Sequence, residues 1–401
     1  MEDLLMSLLL RNRGAILLLM INIFLIFTGV GLVIPIMPTY MNELHINGSM
    51  VGLLVAAFSF SQLICSPIAG RLSDTWGRKK MIVSGMIIFA VSEWLFGIAN
   101  DPTLLFAARM LGGIGAAFIM PAVMAYTADI TSDEERGKGM GYINAAITTG
   151  FIIGPGIGGY IAEFGIRVPF YAAGIAAAIA AVITLLVLPE SLTAEKRKAT
   201  IAEASLTKQP NMFLQLIHSY RESYFLSLVI VFVMSFGLAN YETVFGLFVD
   251  HKFGFTPKDI AFIITFGSIA GAVVQVSAFG WIVNTFGEKK VISWCLVFAS
   301  LFVLLTLFVN QYWMILVVTF IVFLSIDILR PAISTQLSKI AHNQQGYVAG
   351  LNSAYSSLGN IAGPIVAGLL FDINIGFPYM AAAIVLFLCF ILSRNTKKLD
   401  V

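Results

Sequence analysis

The sequence predicts an all-α polytopic membrane protein, with twelve transmembrane helices arranged as two pseudo-symmetric six-helix bundles. Three observations carry this prediction. The composition is strongly apolar, apolar runs of about 20 residues recur from end to end, and a loop motif occurs twice at a fixed interval.

Of the 401 residues, 58% are apolar and only 11% charged, against roughly 25% in an ordinary soluble domain. With a mean hydropathy of +0.90, this excludes a soluble enzyme. A net charge of +2 offers no basic face for a nucleic-acid backbone, so nucleic acid is not expected as a partner. Cys65, Cys295 and Cys389 lie far apart inside apolar runs, without the spacing of a metal or redox site. They read as buried small apolar residues, and no metal or cofactor is expected. Glu2 and Asp3 precede an apolar run with no small-residue cleavage site, which reads as a retained cytoplasmic start.

In chain order, the first six apolar windows are Ala15–Met37, Met50–Ala69, Met81–Ala99, Thr103–Met124, Met140–Ala162 and Val168–Leu188. Residues 1–188 are therefore expected to form the N-terminal bundle. The stretch Pro189–Glu222, with Glu195, Lys196, Arg197, Lys198 and Gln209, is polar enough to be a solvated cytoplasmic linker. Six further windows follow: Ser223–Phe248, Asp259–Phe279, Val291–Val309, Trp313–Gln336, Tyr347–Leu370 and Phe377–Leu392. These give a C-terminal bundle over residues 223–401. With both termini cytoplasmic, 19 of the 24 Lys and Arg residues fall on the inner side and only Arg167, Lys252 and Lys258 outside. The remaining two, Arg109 and Arg330, fall within spans 4 and 10.

Two loops show the duplication. Gly70-Arg-Leu-Ser-Asp74-Thr-Trp-Gly77-Arg78-Lys79-Lys80 follows span 2, and Gly280-Trp-Ile-Val-Asn284-Thr-Phe-Gly287-Glu288-Lys289-Lys290 follows span 8, 210 residues later. Gly154-Pro155 in span 5 recurs as Gly363-Pro364 in span 11 at an offset of 209. Two independent markers thus agree on duplication of a six-span unit. Positive-inside topology alone explains the bases after span 2 but not Asp74. An acid, Gly77 and three bases, with Arg136 on the same face, suggest an ion-pair cluster that breaks and reforms as the halves rock. Asn284 in place of the acid gives the second copy a weaker role.

The string Gly154, Gly156, Gly159 satisfies a dinucleotide-binding pattern but lies inside an apolar span without the required βαβ unit. Gly150, Gly154 and Gly158 instead repeat at i, i+4, i+8, which permits close helix packing, with Pro155 bending the helix.

Charged groups within spans are costly and are site candidates by default. They are Glu93, Arg109, Glu242, Asp327 and Arg330. Asp327 and Arg330 stand at i, i+3, where they can pair and keep the acid ionised, with Arg330 as counter-charge. Glu242 has no Lys or Arg within nine positions, so nothing near it in sequence holds it ionised. It is the first choice for a proton carrier, against the alternative of a carboxylate satisfied by a partner helix. Glu93 reads as a helix-to-helix hydrogen-bonding group.

These residues resemble the major facilitator superfamily, and within it the twelve-span drug/proton antiporter branch of the Bmr and NorA type from Gram-positive bacteria. The resemblance spans nearly the whole chain. It rests on Gly70–Lys80, on Arg109 followed by Gly112-Gly113-Ile-Gly115, on Gly154–Gly159, and on Pro35 with Pro38 ending span 1. The span 5 element marks antiporters, whose bend is held to help seal the route between the halves. The resemblance implies that Glu242 and Asp327 are the proton-coupling pair, and that Arg109 faces the central cavity as a counter-charge or substrate contact. Phe27, Ile34, Gln62, Met120, Phe151, Asn352 and Asn360 match cavity positions. Flexible Met, flat aromatic faces and a carboxylate suit varied hydrophobic and cationic compounds.

The expected function is therefore proton-coupled multidrug efflux by alternating access, conferring antibiotic resistance, by a monomer in the lipid bilayer of the plasma membrane. The alternative is an exporter of one metabolite or lipid precursor on the same scaffold. No HExxH or GxSxG motif supports an enzyme.

Overall fold

The computed structural model describes residues 2–193, 216, 218–222, 224–341 and 345–395. Most of the polar stretch between the halves, including Glu195, Lys196, Arg197, Lys198 and Gln209, lies outside the described residues. The first six long helices are α1 (Glu2–Leu44), α2 (Gly48–Trp76), α3 (Arg78–Ile98), α4 (Pro102–Ile130), α5 (Asp133–Ile161) and α6 (Val168–Val187). They are followed by α7 (Phe225–Phe253), α8 (Pro257–Phe286), α9 (Glu288–Leu305), α10 (Tyr312–Ala341), α11 (Gln345–Ile373) and α12 (Phe377–Asn395). All twelve contain a segment long and apolar enough to cross a membrane, and no strand occurs among the described residues. A helix satisfies its own backbone polar groups, which hydrocarbon cannot do, so long apolar runs of this kind fold as helices.

Local signals set the ends. Asp101 caps α4 by accepting from the Leu104 N–H at 3.0 Å, with Pro102 in the first turn. Ser132 with Glu135 and Thr256 with Asp259 form capping boxes that open α5 and α8. Gly14, where the membrane-spanning part of α1 begins, takes a φ of 73° within the helix. Pro35 and Pro38 do not end the first span as expected. The helix runs through both to Leu44, because packing neighbours tolerate a kink that an isolated helix would not. Cys295 and Cys389 are buried as expected, whereas Cys65 is only half-buried.

The chain forms two compact units. One comprises Met1–Tyr40 and Ala57–Gln209, the other Met41–Ala56 and Pro210–Val401. The end of α1 and the start of α2 thus group with the second unit. Here the Asp372 carboxylate accepts from the Gly48 N–H at 2.6 Å and the Ser49 N–H at 2.9 Å.

Within the first unit, α5 packs on α1 through its small residues. A Cβ on Gly150 would lie 2.8 Å from the Phe24 carbonyl oxygen, on Gly154 2.7 Å from that of Thr28, and on Gly158 2.7 Å from that of Leu32. The i, i+4, i+8 row is therefore a packing stripe, and Pro155 lies on the same contact against Gly31. Asn22 of α1 donates to Thr184 of α6 at 2.9 Å, and Ser61 of α2 to the Met110 carbonyl of α4 at 2.8 Å. The second unit repeats the first contact: Cβ atoms on Gly359 and Gly363 of α11 would each lie 2.6 Å from α7 carbonyl oxygens, those of Phe232 and Phe236. Gly359 stands at the Gly150 position of the duplication.

Candidate functional site

In the second unit, α7 carries Glu242 and α10 carries Asp327 and Arg330. Glu242 and Asp327 are half-buried and Arg330 is exposed. Glu242 lies within electrostatic reach of both Arg330 and Asp327, and Asp327 within reach of Arg330. The cation missing from Glu242's sequence neighbourhood is thus supplied by another helix. The expected direct Asp327–Arg330 pair is not formed among the described residues. Asp327 instead turns over Gly271 of α8, where any side chain would collide with its Oδ2 atom. Gly271 was not singled out by sequence, since a glycine in an apolar helix is an ambiguous signal. Asn352 and Asn360 are half-buried on α11, whose Ser356 meets Ser235 of α7 at 2.9 Å.

In the first unit, Phe27 of α1 and Phe151 of α5 are in ring contact, with centroids 4.8 Å apart at 52°. The packing stripe produces this contact, because Gly150 brings the two backbones close enough for the rings to meet. Arg109 on α4 is buried, and its guanidinium sits 4.9 Å from the Phe58 ring centroid of α2, in cation–π range. Gln62 follows Phe58 by one turn and is half-buried, as are Ile34 and Met120; Met120 packs against the core of this unit. Glu93 on α3 is only 5% exposed and faces Arg109 electrostatically. The expected helix-to-helix hydrogen bond is absent at its Oε2 atom, which has no partner among the described residues. Glu93 and Arg109 thus lie within electrostatic reach of each other on neighbouring helices.

The turn between α2 and α3 is a dense polar cluster. Arg78 pairs with Asp74, donates to Ser73 at 3.2 Å, and reaches Asp129 of α4 at 3.4 Å. Glu190, just after α6, accepts from the Arg78 N–H at 2.9 Å and the Lys79 N–H at 3.3 Å. Its carboxylate fills the space beside Gly77, whose φ of 116° suits glycine. Ser191 also donates to Asp129, at 3.0 Å. Arg136 is exposed on α5. Asp129, Glu190 and Ser191 were not foreseen, because they come from distant segments with no repeat of their own.

The second copy of this turn keeps a positive-φ glycine and the two lysines but exchanges the charges of one ion pair. Gly287 has a φ of 79°, and Glu288 of α9 pairs with Lys339 of α10. Glu288 stands 210 residues after Arg78, and Lys339 210 after Asp129, so one inter-helix ion pair occurs twice with opposite polarity. Asn284 stands where the first copy has Asp74, so the second turn keeps the inter-helix bridge but not the local acid.

The sequence matches the Major Facilitator Superfamily family model over residues 19–245 and 227–398. It is 52% identical over 376 residues to multidrug resistance protein 2 of Bacillus subtilis, covering 94% of this chain and 93% of that protein. It is 40% identical over 371 residues to the quinolone resistance protein NorA of Staphylococcus aureus, covering 92% and 93%. Among solved structures, the nucleoside transporter NupG shares the fold with a TM-score of 0.73 at 15% identity, covering 96% of this chain and 99% of that one.

Proposed function

The chain belongs to the Major Facilitator Superfamily, and on that premise we propose that it is a multidrug exporter driven by protons. Its substrates are hydrophobic, often cationic compounds, moved out of the cytoplasm by alternating access. The names of its relatives, a multidrug resistance protein and a quinolone resistance protein, support the substrate class. We place it as a monomer in the plasma membrane, with both termini cytoplasmic, residues 1–188 and 223–401 forming the two bundles and residues 189–222 the linker.

The observation that carries the coupling is the three-charge group on α7 and α10. Two carboxylates, Glu242 and Asp327, share one cation, Arg330. When both acids are ionised the group carries one excess negative charge in a poorly solvated setting, which either a proton or a cationic compound can neutralise. Proton and drug then compete, so protonation of Glu242 from outside releases the drug there. For a neutral drug, one proton driven by 100 mV supplies about 2.3 kcal/mol, against about 1.4 kcal/mol for each tenfold drug gradient, whereas a monovalent cation exchanged one for one moves no net charge and is driven by the pH gradient alone. Asp327 and Arg330 complete the coupling group. In the first unit, Arg109, Phe27, Phe151, Ile34, Gln62 and Met120 contribute substrate contacts, and in the second Asn352 and Asn360 do so. Asp74, Arg78 and Arg136, with the Gly154-Pro155 bend, form the gate.

The test is ethidium movement in reconstituted vesicles under an imposed pH gradient, comparing the native chain with Glu242→Gln. The variant is expected to keep its fold and lose gradient-driven transport. Undiminished transport would remove Glu242 from the mechanism. No ethidium movement by either folded protein would favour a narrow metabolite exporter.

A further inference from the structure

The second unit carries a groove of about 690 Å³ that the transport mechanism does not use. It lies where the starts of α7 and α9 meet the ends of α10 and α12, so all four helices present the same end of the unit. At its rim stand Lys289 and Lys290 in the first turn of α9 and Arg394 in the last turn of α12. Between them Ser293 and Ser393, whose hydroxyls donate to the Lys289 and Phe390 carbonyls, lie 3.4 Å apart and bridge α9 to α12. Glu288, the neighbouring acid, is engaged by Lys339. The rim is therefore cationic.

Below the rim the character changes. Lys290, Ser293, Trp294 and Val297 follow one another at i, i+3, i+4 and i+7, a single stripe of α9 that passes from charged to apolar. Trp294 and Phe298 are 45% and 50% exposed, so they line the groove and are not buried within the unit. On α12, Phe390 lies one turn below Arg394, whose guanidinium is 5.7 Å from its ring. From Lys290 to Phe298 the helix rises about 12 Å, close to the hydrocarbon depth of about 15 Å in one leaflet. The two lysines are also poorly placed for their own helix, since cations at an N-terminus oppose the macrodipole. A bound anion would reverse that penalty, and the nearby start of α7 adds a second positive helix end.

We propose that this groove binds an anionic phospholipid, its headgroup phosphate held by Lys289, Lys290 and Arg394 and one acyl chain laid against Trp294 and Phe298. A cationic rim over an apolar trough of one-leaflet depth matches that chemistry and not that of a zwitterionic lipid.

The full chain, purified in a neutral detergent, would be titrated with dioleoyl phosphatidylglycerol or dioleoyl phosphatidylcholine and read by native mass spectrometry. Phosphatidylglycerol should bind at least about tenfold more tightly. K289Q/K290Q/R394Q should reduce it to the phosphatidylcholine level. R71Q/K79Q/K80Q, which removes equal charge from the first unit, should leave it unchanged. Equal binding of the two lipids, or equal loss in both triple variants, would overturn the proposal. Displacement of the lipid by millimolar inorganic phosphate would also overturn it, by showing an anion site without a chain contact. If the first triple variant does not fold, photolabelling of the unaltered chain decides. An acyl-chain diazirine on phosphatidylglycerol should label residues 294–298 and Phe390, and labelling confined to other segments would refute the assignment.

Discussion

Arg109 and Glu93 answer each other across α3 and α4, both almost fully withdrawn from solvent. Replacing Arg109 with Gln removes the cation that faces buried Glu93 and is expected to destabilise the fold. Replacing both, as E93Q/R109Q, removes the charge along with its partner. The expected outcome is that R109Q lowers resistance to thermal unfolding in detergent far more than the double variant does. If the two are equally destabilised, the pairing is not what holds these residues, and the Phe58 contact of Arg109 carries the effect. Sequence alone made both residues conspicuous as intramembrane charges. It could not pair them, because residues sixteen positions apart on neighbouring helices meet only at one relative rotation.

Between elements, the repeated ion pair offers a sharper test. Arg78 with Asp129 joins α3 to α4, and Glu288 with Lys339 joins α9 to α10 at the duplicated positions with the charges exchanged. Lys339 is 66% exposed at its side chain, so the pair contributes at most about 1 kcal/mol to stability. Its effect belongs in the transport cycle. E288K alone should slow ethidium transport by up to roughly fivefold, the rate equivalent of about 1 kcal/mol. E288K/K339E, which gives α9 and α10 the polarity found between α3 and α4, should restore it. A double variant as slow as the single one would show that the two side chains act separately. The signal was present in the sequence at the common 210-residue interval, but a loop motif ending at Lys80 gave no reason to look as far as Asp129.

At the scale of the molecule, duplication of a six-span unit requires the turns at Gly77 and Gly287 to lie on one side of the membrane. Both have positive φ and both separate paired helices. In a chain with its three native cysteines replaced, single cysteines at Thr75 and Thr285 should react with an impermeant maleimide from the same side, the cytoplasmic one. Labelling from opposite sides would overturn the topology. The sequence by itself determined the number of spans, the duplication, the small-residue stripe of α5 and the identity of the costly charges. Each of these is a property of local composition or of spacing along one helix. Only the tertiary structure decided that Arg330 reaches Glu242, that Asp327 turns over Gly271, that Glu190 closes the Gly77 turn, and that the start of α2 groups with the second unit. Those outcomes depend on how each helix is rotated and which neighbour it meets, and an apolar span exposed to lipid on one side and helices on the other leaves little periodicity from which to read that rotation.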